Sequence, residues 1–285
     1  MKFAVNPMQW AALPSGHLDL RQLPPPAELL HTLADAGFCA VHTLIDLPTD
    51  VDWYAAALLA AGLEAAPGYF AFPFDDQTAL EDAKRRAEHA AATHQALGLD
   101  HIFIADTLNP IRVARPGHGE AADPRRLSAM AVNLAGVCDI FRHRGVTPCL
   151  HQHVASWVET TDEYLQMLEL IDPALLAAGP DTGHLAYADA DPTAVIRALA
   201  GRVRAAHLKD LHAAVKLEAA HRDYFAAVAS GLWTEPGRGD VDLEGVLTVL
   251  RNQNVEWAIV EVDRPDGLDA LTSAAHCAEW IRRHE

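Results

Sequence analysis

Along the whole chain, β-like runs alternate with amphipathic helical stretches, and this alternation constrains the fold more than any other feature. Parallel strands need a crossover helix between neighbours, so strict alternation argues for a parallel sheet rather than segregated layers. The runs cover residues 3–5, 38–45, 63–72, 101–105, 146–150, 175–179, 203–208 and 255–262. Helix boundaries are marked as well. Leu29, Leu30 and Leu33 have helical spacing before a stop at Gly37, and Asp50 and Gly62 bracket the next helix. Thr78 with Glu81 reads as a capping box closed by Gly98; Asp123 with Pro124, Thr160 with Glu163, and Asp191 with Pro192 open later helices.

Eight strand–helix units in a chain slightly above the roughly 250 residues usual for the architecture make a closed α/β (β/α)8 TIM barrel the economical solution. No composition break interrupts residues 1–285, so one domain is expected. An open doubly wound sheet would need a glycine-rich phosphate loop after the first strand, where this chain has Asn6, Pro7, Met8, Gln9 and Trp10. Two connections are long. Residues 107–122 are rich in Gly and Pro and are expected to cover a site or to move. The stretch after the seventh strand, about thirty residues, should hold a short helical piece around 213–229.

Half the residues are hydrophobic, enough for a sizeable core, yet no apolar run approaches the roughly 20 residues that cross a bilayer. We therefore expect no membrane partner. One lysine followed by Asn6 and Pro7 reads as no signal peptide, and Cys39, Cys138, Cys149 and Cys277 lack metal or redox spacing, so a cytoplasmic chain with reduced thiols is expected. A net charge of −17 repels polyanions, which excludes nucleic acid as a partner. The densest basic group, Lys84, Arg85 and Arg86, reads as a solvated helix face. A closed barrel offers no free strand edge, so a homo-oligomer would pair through helices or the long loops.

Ligand-type side chains gather at four strand ends: His151, Asp181, His207 and Glu261. In this architecture the C-terminal strand ends carry the chemistry. Two imidazoles and two carboxylates form a mixed N/O set suited to one divalent ion, Mn²⁺ or Co²⁺ first, with Zn²⁺ or Fe²⁺ as alternatives; Mg²⁺ would favour fewer histidines. His153 and Lys209 each stand two residues beyond a ligand and share its face of the strand, and His184 lies three residues past Asp181. Lys209 has a second, structural reading as the ion-pair partner of Asp210 or of another carboxylate.

The segments LHQHVASWVET, DTGHLAYADADP, HLKD, EPGRGDVD and VEVDRP, with NPMQW near the start, together resemble the xylose isomerase-like barrel superfamily of sugar phosphate isomerases, epimerases and dehydratases. The likeness covers nearly the whole chain and is nearest to the inosose (2-keto-myo-inositol) dehydratase branch. It implies a metal held by Glu, Asp, His and Glu at successive strand ends; Asp181, His207 and Glu261 match the last three, and His151 stands in place of the first glutamate. Isomerases of the superfamily use both glutamates as bases, so the histidine favours elimination over epimerisation. His184, His153 and Lys209 are then expected to face the substrate.

The implied reaction is removal of water from a cyclic keto-polyol through an enolate that the metal stabilises, a carbon–oxygen lyase activity. His153 and Lys209 are the unligated acid–base candidates, and Glu261 is a base candidate through its second oxygen. Arg238, in the glycine-bordered GRGD, and Trp10 are candidate substrate-binding residues, with packing an equal role for Trp10. Competing readings are a ketose or sugar-phosphate isomerase or epimerase, a DNA-repair endonuclease with three metals, which His42 and Asp106 support poorly, and a non-enzymatic keto-sugar-binding protein.

Overall fold

In the computed structural model, which describes residues 1–44 and 50–285, the expected barrel forms. The strands are β1 (Lys2–Asn6), β2 (Ala40–His42), β3 (Glu64–Ala66), β4 (Tyr69–Phe72), β5 (His101–Asp106), β6 (Thr147–Leu150), β7 (Ala177–Ala178), β8 (Ala205–Leu208), β9 (Asp210–Leu211), β10 (Trp233–Thr234) and β11 (Trp257–Glu261). One parallel arc runs β3-β2-β1-β11-β8 and another β4-β5-β6-β7. Parallel bridges Ala178 to Val203 and Asp181 to His207 join the arcs on one side, and the chain passing from β3 to β4 joins them on the other. The antiparallel β9–β10 pair belongs to the insertion after β8. Ile45, the end of the expected second strand, lies outside the described residues.

Around the strands lie α1 (Pro26–Ala36), α2 (Val51–Ala61), α3 (Leu80–Ala96), α4 (Pro110–Ala114), α5 (Pro124–His143) and α6 (Thr161–Leu170). They continue with α7 (Thr182–Tyr187), α8 (Pro192–Ala198), α9 (Ala213–Glu218), α10 (Tyr224–Ala229), α11 (Leu243–Asn252) and α12 (Ala270–His284). Among the described residues no helix is long and apolar enough to cross a membrane. Because helices cover the outside and side chains fill the inside, β5 is buried along its whole length. The interior is packed by Ala4, Ala66, Phe103, Cys149, Ala205 and Trp257, small residues facing large ones, while Val5, Ile104, Leu150, Leu208 and Val260 pack outward under the helices. The cysteines are free thiols, Cys39 exposed and the other three buried.

The stretch over 63–72, expected to hold a third strand and its loop, holds two strands, because Pro67 has no N–H to give and Gly68 passes too close to its neighbours. A Cβ on Gly68 would lie 2.7 Å from the Thr43 carbonyl oxygen and 2.9 Å from His94 Cε1. His94 fastens the break: its Nδ1–H donates to the Ala90 carbonyl at 2.9 Å, and its Nε2 accepts the Gly68 N–H at 2.9 Å.

Asp50, Asp123 and Asp191 cap their helices, and Thr160 and Glu163 form a complete capping box. The box expected from Thr78 and Glu81 does not form. α3 starts one residue later, after Ala79, because the Asp76 carboxylate takes the Thr78 N–H, the Thr78 hydroxyl and the Ala79 N–H. A charged acceptor just upstream outcompetes a neutral hydroxyl. The Lys84–Arg86 triplet pairs largely within its own helix, with Glu81 and Asp82.

The long connection over 107–122 is pinned. Buried Arg112 pairs with Glu159 at 2.7 Å and with Glu163, and the Glu159 carboxylate also accepts the N–H groups of Gly117, Gly119 and Ala155. The connection is thereby tied to the β6–α6 loop that carries His153. The second insertion is organised by Asp210, whose carboxylate accepts the N–H groups of Leu211, Gly237, Gly239 and Val241. Asp210 is therefore occupied and is not the partner of Lys209.

Candidate active site

Three of the expected ligands meet directly. Asp181, His207 and Glu261 bring ligating atoms within 4.8 Å of one another, and all three are buried. His207 Nδ1 lies 3.2 Å from Glu261 Oε2 and 3.8 Å from Asp181 Oδ2. The register explains the meeting: Asp181 bridges His207 across the β7–β8 seam, and Val260 of β11 pairs with Leu208 of β8. His151 joins Asp181 in a second trio completed by His184, with its ring 4.7 Å from that of His207.

Asp181 is held by what surrounds its main chain. Gln152 donates to its carbonyl at 2.8 Å and accepts its N–H at 3.2 Å. Its Oδ1 caps α7 by accepting the His184 N–H at 2.8 Å, while Oδ2 has no hydrogen-bond partner. Gly183 matters here because a Cβ on it would lie 2.7 Å from Lys209 Cγ and 2.9 Å from Trp233 Cζ3. Only a glycine lets the Lys209 side chain pass.

Lys209 is the charge at the centre. Its ammonium lies 2.6 Å from Glu261 Oε1, 2.9 Å from Asp263 Oδ2 and 3.9 Å from Asp181 Oδ2, over the Trp233 ring. Burial opposes its charge, but Asp263, Glu261 and Asp181 outweigh burial and hold it well above the usual lysine range. Burial likewise opposes ionisation of Glu261, and Lys209 and then His207 bring that carboxyl well below its usual range. Asp263 is pushed up to about 7 by burial, against the pull of Lys209. Burial raises Asp181 too, with Lys209 opposing.

His151, His153 and His184 are neutral. Burial, helped by neighbouring imidazoles and Lys209, holds His151 and His184 well below the usual range and His153 at about 4. The His153 Nδ1 sits 2.6 Å from the Val154 carbonyl oxygen. A carbonyl only accepts, so Nδ1 carries the proton and Nε2 keeps a lone pair.

A cavity of about 170 Å³ opens above these groups, and His151, His153, Glu261 and Asp263 form part of its floor. Asp181, His184, His207 and Lys209 lie beneath the floor, each at most 1% exposed. Of the three residues expected to face the substrate, His153 lines the cavity directly, and His184 and Lys209 stand behind it. Two expected substrate contacts sit elsewhere. Trp10 packs, partly buried, against the hydrophobic core, and Arg238 is exposed and engages His276, Asp266 and Glu235. Arg238 sits in the turn that Asp210 organises through the N–H groups of Gly237 and Gly239.

Asn6, His42, Tyr69 and Asp263 line the cavity without having been expected there. Asn6 donates to Glu261 Oε2. His42 sits 5.4 Å from His207, ring to ring, and burial, with His207, lowers it to about 3. The sequence carried a signal for Asp263: it stands two residues past Glu261, the same relation that singled out His153 and Lys209.

The donor set fits a divalent cation. Three buried carboxylates, Asp181, Glu261 and Asp263, face one ammonium, so a deficit of positive charge remains. Both ring nitrogens of His207, Nδ1 of His151 and Oδ2 of Asp181 lack hydrogen-bond partners although buried, which is costly unless something else binds them. Ions with about 2.0–2.2 Å bonds place their ligands about 3–3.5 Å apart, close to the His207–Glu261 separation.

Fold and site together define a TIM barrel with a buried carboxylate–imidazole centre at the C-terminal ends of its strands. The family model described as "Xylose isomerase-like TIM barrel" matches residues 30–284, and the chain belongs to that family. Among curated proteins it is similar to inosose dehydratase of Clostridium beijerinckii, 27% identical over 81% of this chain and 80% of the relative. Among solved structures it resembles the probable 3-DHS dehydratase AsbF of Bacillus anthracis, with TM-score 0.73 and 13% identity over the whole of both chains. It also resembles the IOLI protein with a bound zinc atom, with TM-score 0.71 and 14% identity over 99% of this chain and 97% of that one.

Proposed function

We propose that the chain is a metal-dependent dehydratase that removes water from a cyclic keto-polyol such as 2-keto-myo-inositol. The observation that carries this reading is that an unprotonated imidazole nitrogen, His153 Nε2, and a buried ammonium, Lys209, both stand around the Asp181–His207–Glu261 trio. The relatives named inosose dehydratase support it.

Asp181, His207 and Glu261 would hold the ion, with His151 beside them. A divalent cation there supplies Lewis-acid polarisation of a ketone. His153, on the cavity floor, takes the proton from the carbon next to the carbonyl. Asp263, also on the floor and pushed up to about 7, passes a proton to the departing hydroxyl, and Lys209 behind it stays charged and steadies the carboxylate that remains. One C–H and one C–O bond break, a C=C bond forms, and water leaves; the proton on His153 returns through solvent.

The test is mass spectrometry of 2-keto-myo-inositol incubated with Mn²⁺-loaded protein in D₂O. Loss of one water, abolished by His153→Gln, is expected. Deuterium uptake without mass loss of water would replace the lyase by an epimerase.

A further inference from the structure

We propose that the substrate is an uncharged ring with one oxygenated edge and one hydrocarbon face, and that a leucine wall selects it. The inference rests on the dehydratase reading and narrows its substrate. Opposite the polar floor, the cavity is lined by Met8, Leu18, Leu20, Leu23 and Leu44, none of which offers a side-chain hydrogen bond. Leu18 and Leu20 are each 42% exposed. A hydrocarbon face laid on them would remove that apolar surface from water, whereas a hydroxyl there would lose its partners.

The wall is built rather than loose. It spans two 3-10 turns, Met8–Trp10 and Leu20–Gln22, tied by the bridge between Ala12 and Leu18. Its middle is pressed onto α10: His17 stacks on Phe225 at 3.7 Å, and a Cβ on Gly16 would lie 2.1 Å from the Phe225 carbonyl oxygen.

Charge carries the other half of the claim. Among the described residues no arginine or lysine lines the cavity, while Glu261 and Asp263 do. Lys209, behind the floor, is already paired with both. Residues 45–49, which follow Leu44, are Ile, Asp, Leu, Pro and Thr and bring no base. A carboxylate or phosphate on the substrate would meet Glu261 and Asp263 with no lysine or arginine in the cavity lining to pair with it.

The experiment compares kcat/KM of the Mn²⁺-loaded protein for 2-keto-myo-inositol, its analogue lacking the hydroxyl opposite the carbonyl, the O-methyl ether at that position, and 3-dehydroshikimate, a carboxylate. The deoxy or O-methyl ring is expected to exceed the parent by about tenfold, with 3-dehydroshikimate the poorest. Leu18→Ser with Leu20→Ser should erase the preference. A parent that matches or beats both analogues, a preference unmoved by the serines, or efficient use of 3-dehydroshikimate overturns the proposal. Calorimetric binding of the same compounds separates it from the dehydratase reading. Tighter binding of the hydrocarbon-faced ring without turnover would end that reading and keep this one; tighter binding of the carboxylate, or no binding by any ring, would end this one.

Discussion

Lys209 Nζ and Asp263 Oδ2 lie 2.9 Å apart in a buried contact, and the same ammonium also reaches Glu261. Lys209 thus acts as an internal counter-ion at the place where a divalent cation would be held. Its removal leaves three carboxylates facing one another. Lys209→Met should lower metal-free stability by about 3–5 kcal/mol, as for other broken buried pairs. It should also tighten Mn²⁺ binding by on the order of tenfold, because a competing positive charge is gone. Urea denaturation without metal and calorimetric Mn²⁺ titration read the two effects; weaker Mn²⁺ binding would show that the lysine does not compete with the ion.

Gln152 grips the main chain of Asp181 from both sides and touches none of the other ligands through a hydrogen bond. Gln152→Leu keeps the volume and removes both contacts. Orienting partners of this kind are typically worth 10–100-fold in metal affinity, so Mn²⁺ binding should weaken by that range while the circular dichroism spectrum stays unchanged. Unaltered affinity would mean that the Asp181 carboxylate is placed by its helix cap alone.

Much of this centre was legible before any coordinates, because a strand end fixes direction as well as position. Asp181, His207 and Glu261 come from three strand ends, and their convergence followed from the barrel register. His151 was read equally as a fourth ligand, yet it meets Asp181 in company with His184, since which side of the mouth a side chain crosses depends on neighbours remote in sequence. Trp10 and Arg238 lie outside the cavity lining for a related reason: a 3-10 turn and an Asp210-bound loop place them, and neither has a periodicity to read. Asp263 was readable by parity. Asn6 and Tyr69 face the cavity only because the ring closes, and nothing local marks them.

The Arg112 network tests whether the first long connection depends on buried charge. Arg112 is 1% exposed and serves both Glu159 and Glu163. Arg112→Met would strand two carboxylates in the interior and should cost about 3–5 kcal/mol. Arg112→Lys keeps the charge without the planar fork and should recover only part of that loss. Equal midpoints for the two variants in denaturant would show that the fork geometry contributes nothing.

His94 gives the fold a pH dependence whose sign can be worked out. Burial holds its imidazole at about 4, and the Ala90 carbonyl and Gly68 N–H fix the neutral tautomer. An unfolded histidine titrates near 6.5, so between about 4 and 6.5 the unfolded chain binds more protons than the native one. Stability from this residue is complete above pH 6.5, declines as pH falls, and is lost below about 4; the shift corresponds to about 3 kcal/mol. Protonation would put a hydrogen on the nitrogen that accepts the Gly68 N–H and so open the junction between β3 and β4. His42 and His153 are depressed as well and add to the same slope, so the diagnostic quantity is the difference between the native chain and His94→Gln. Glutamine does not titrate and can still accept the Gly68 N–H. Its denaturation free energy should therefore fall less steeply between pH 6.5 and 4, by roughly one proton's worth of slope; parallel curves would assign the acid sensitivity to the cavity histidines instead.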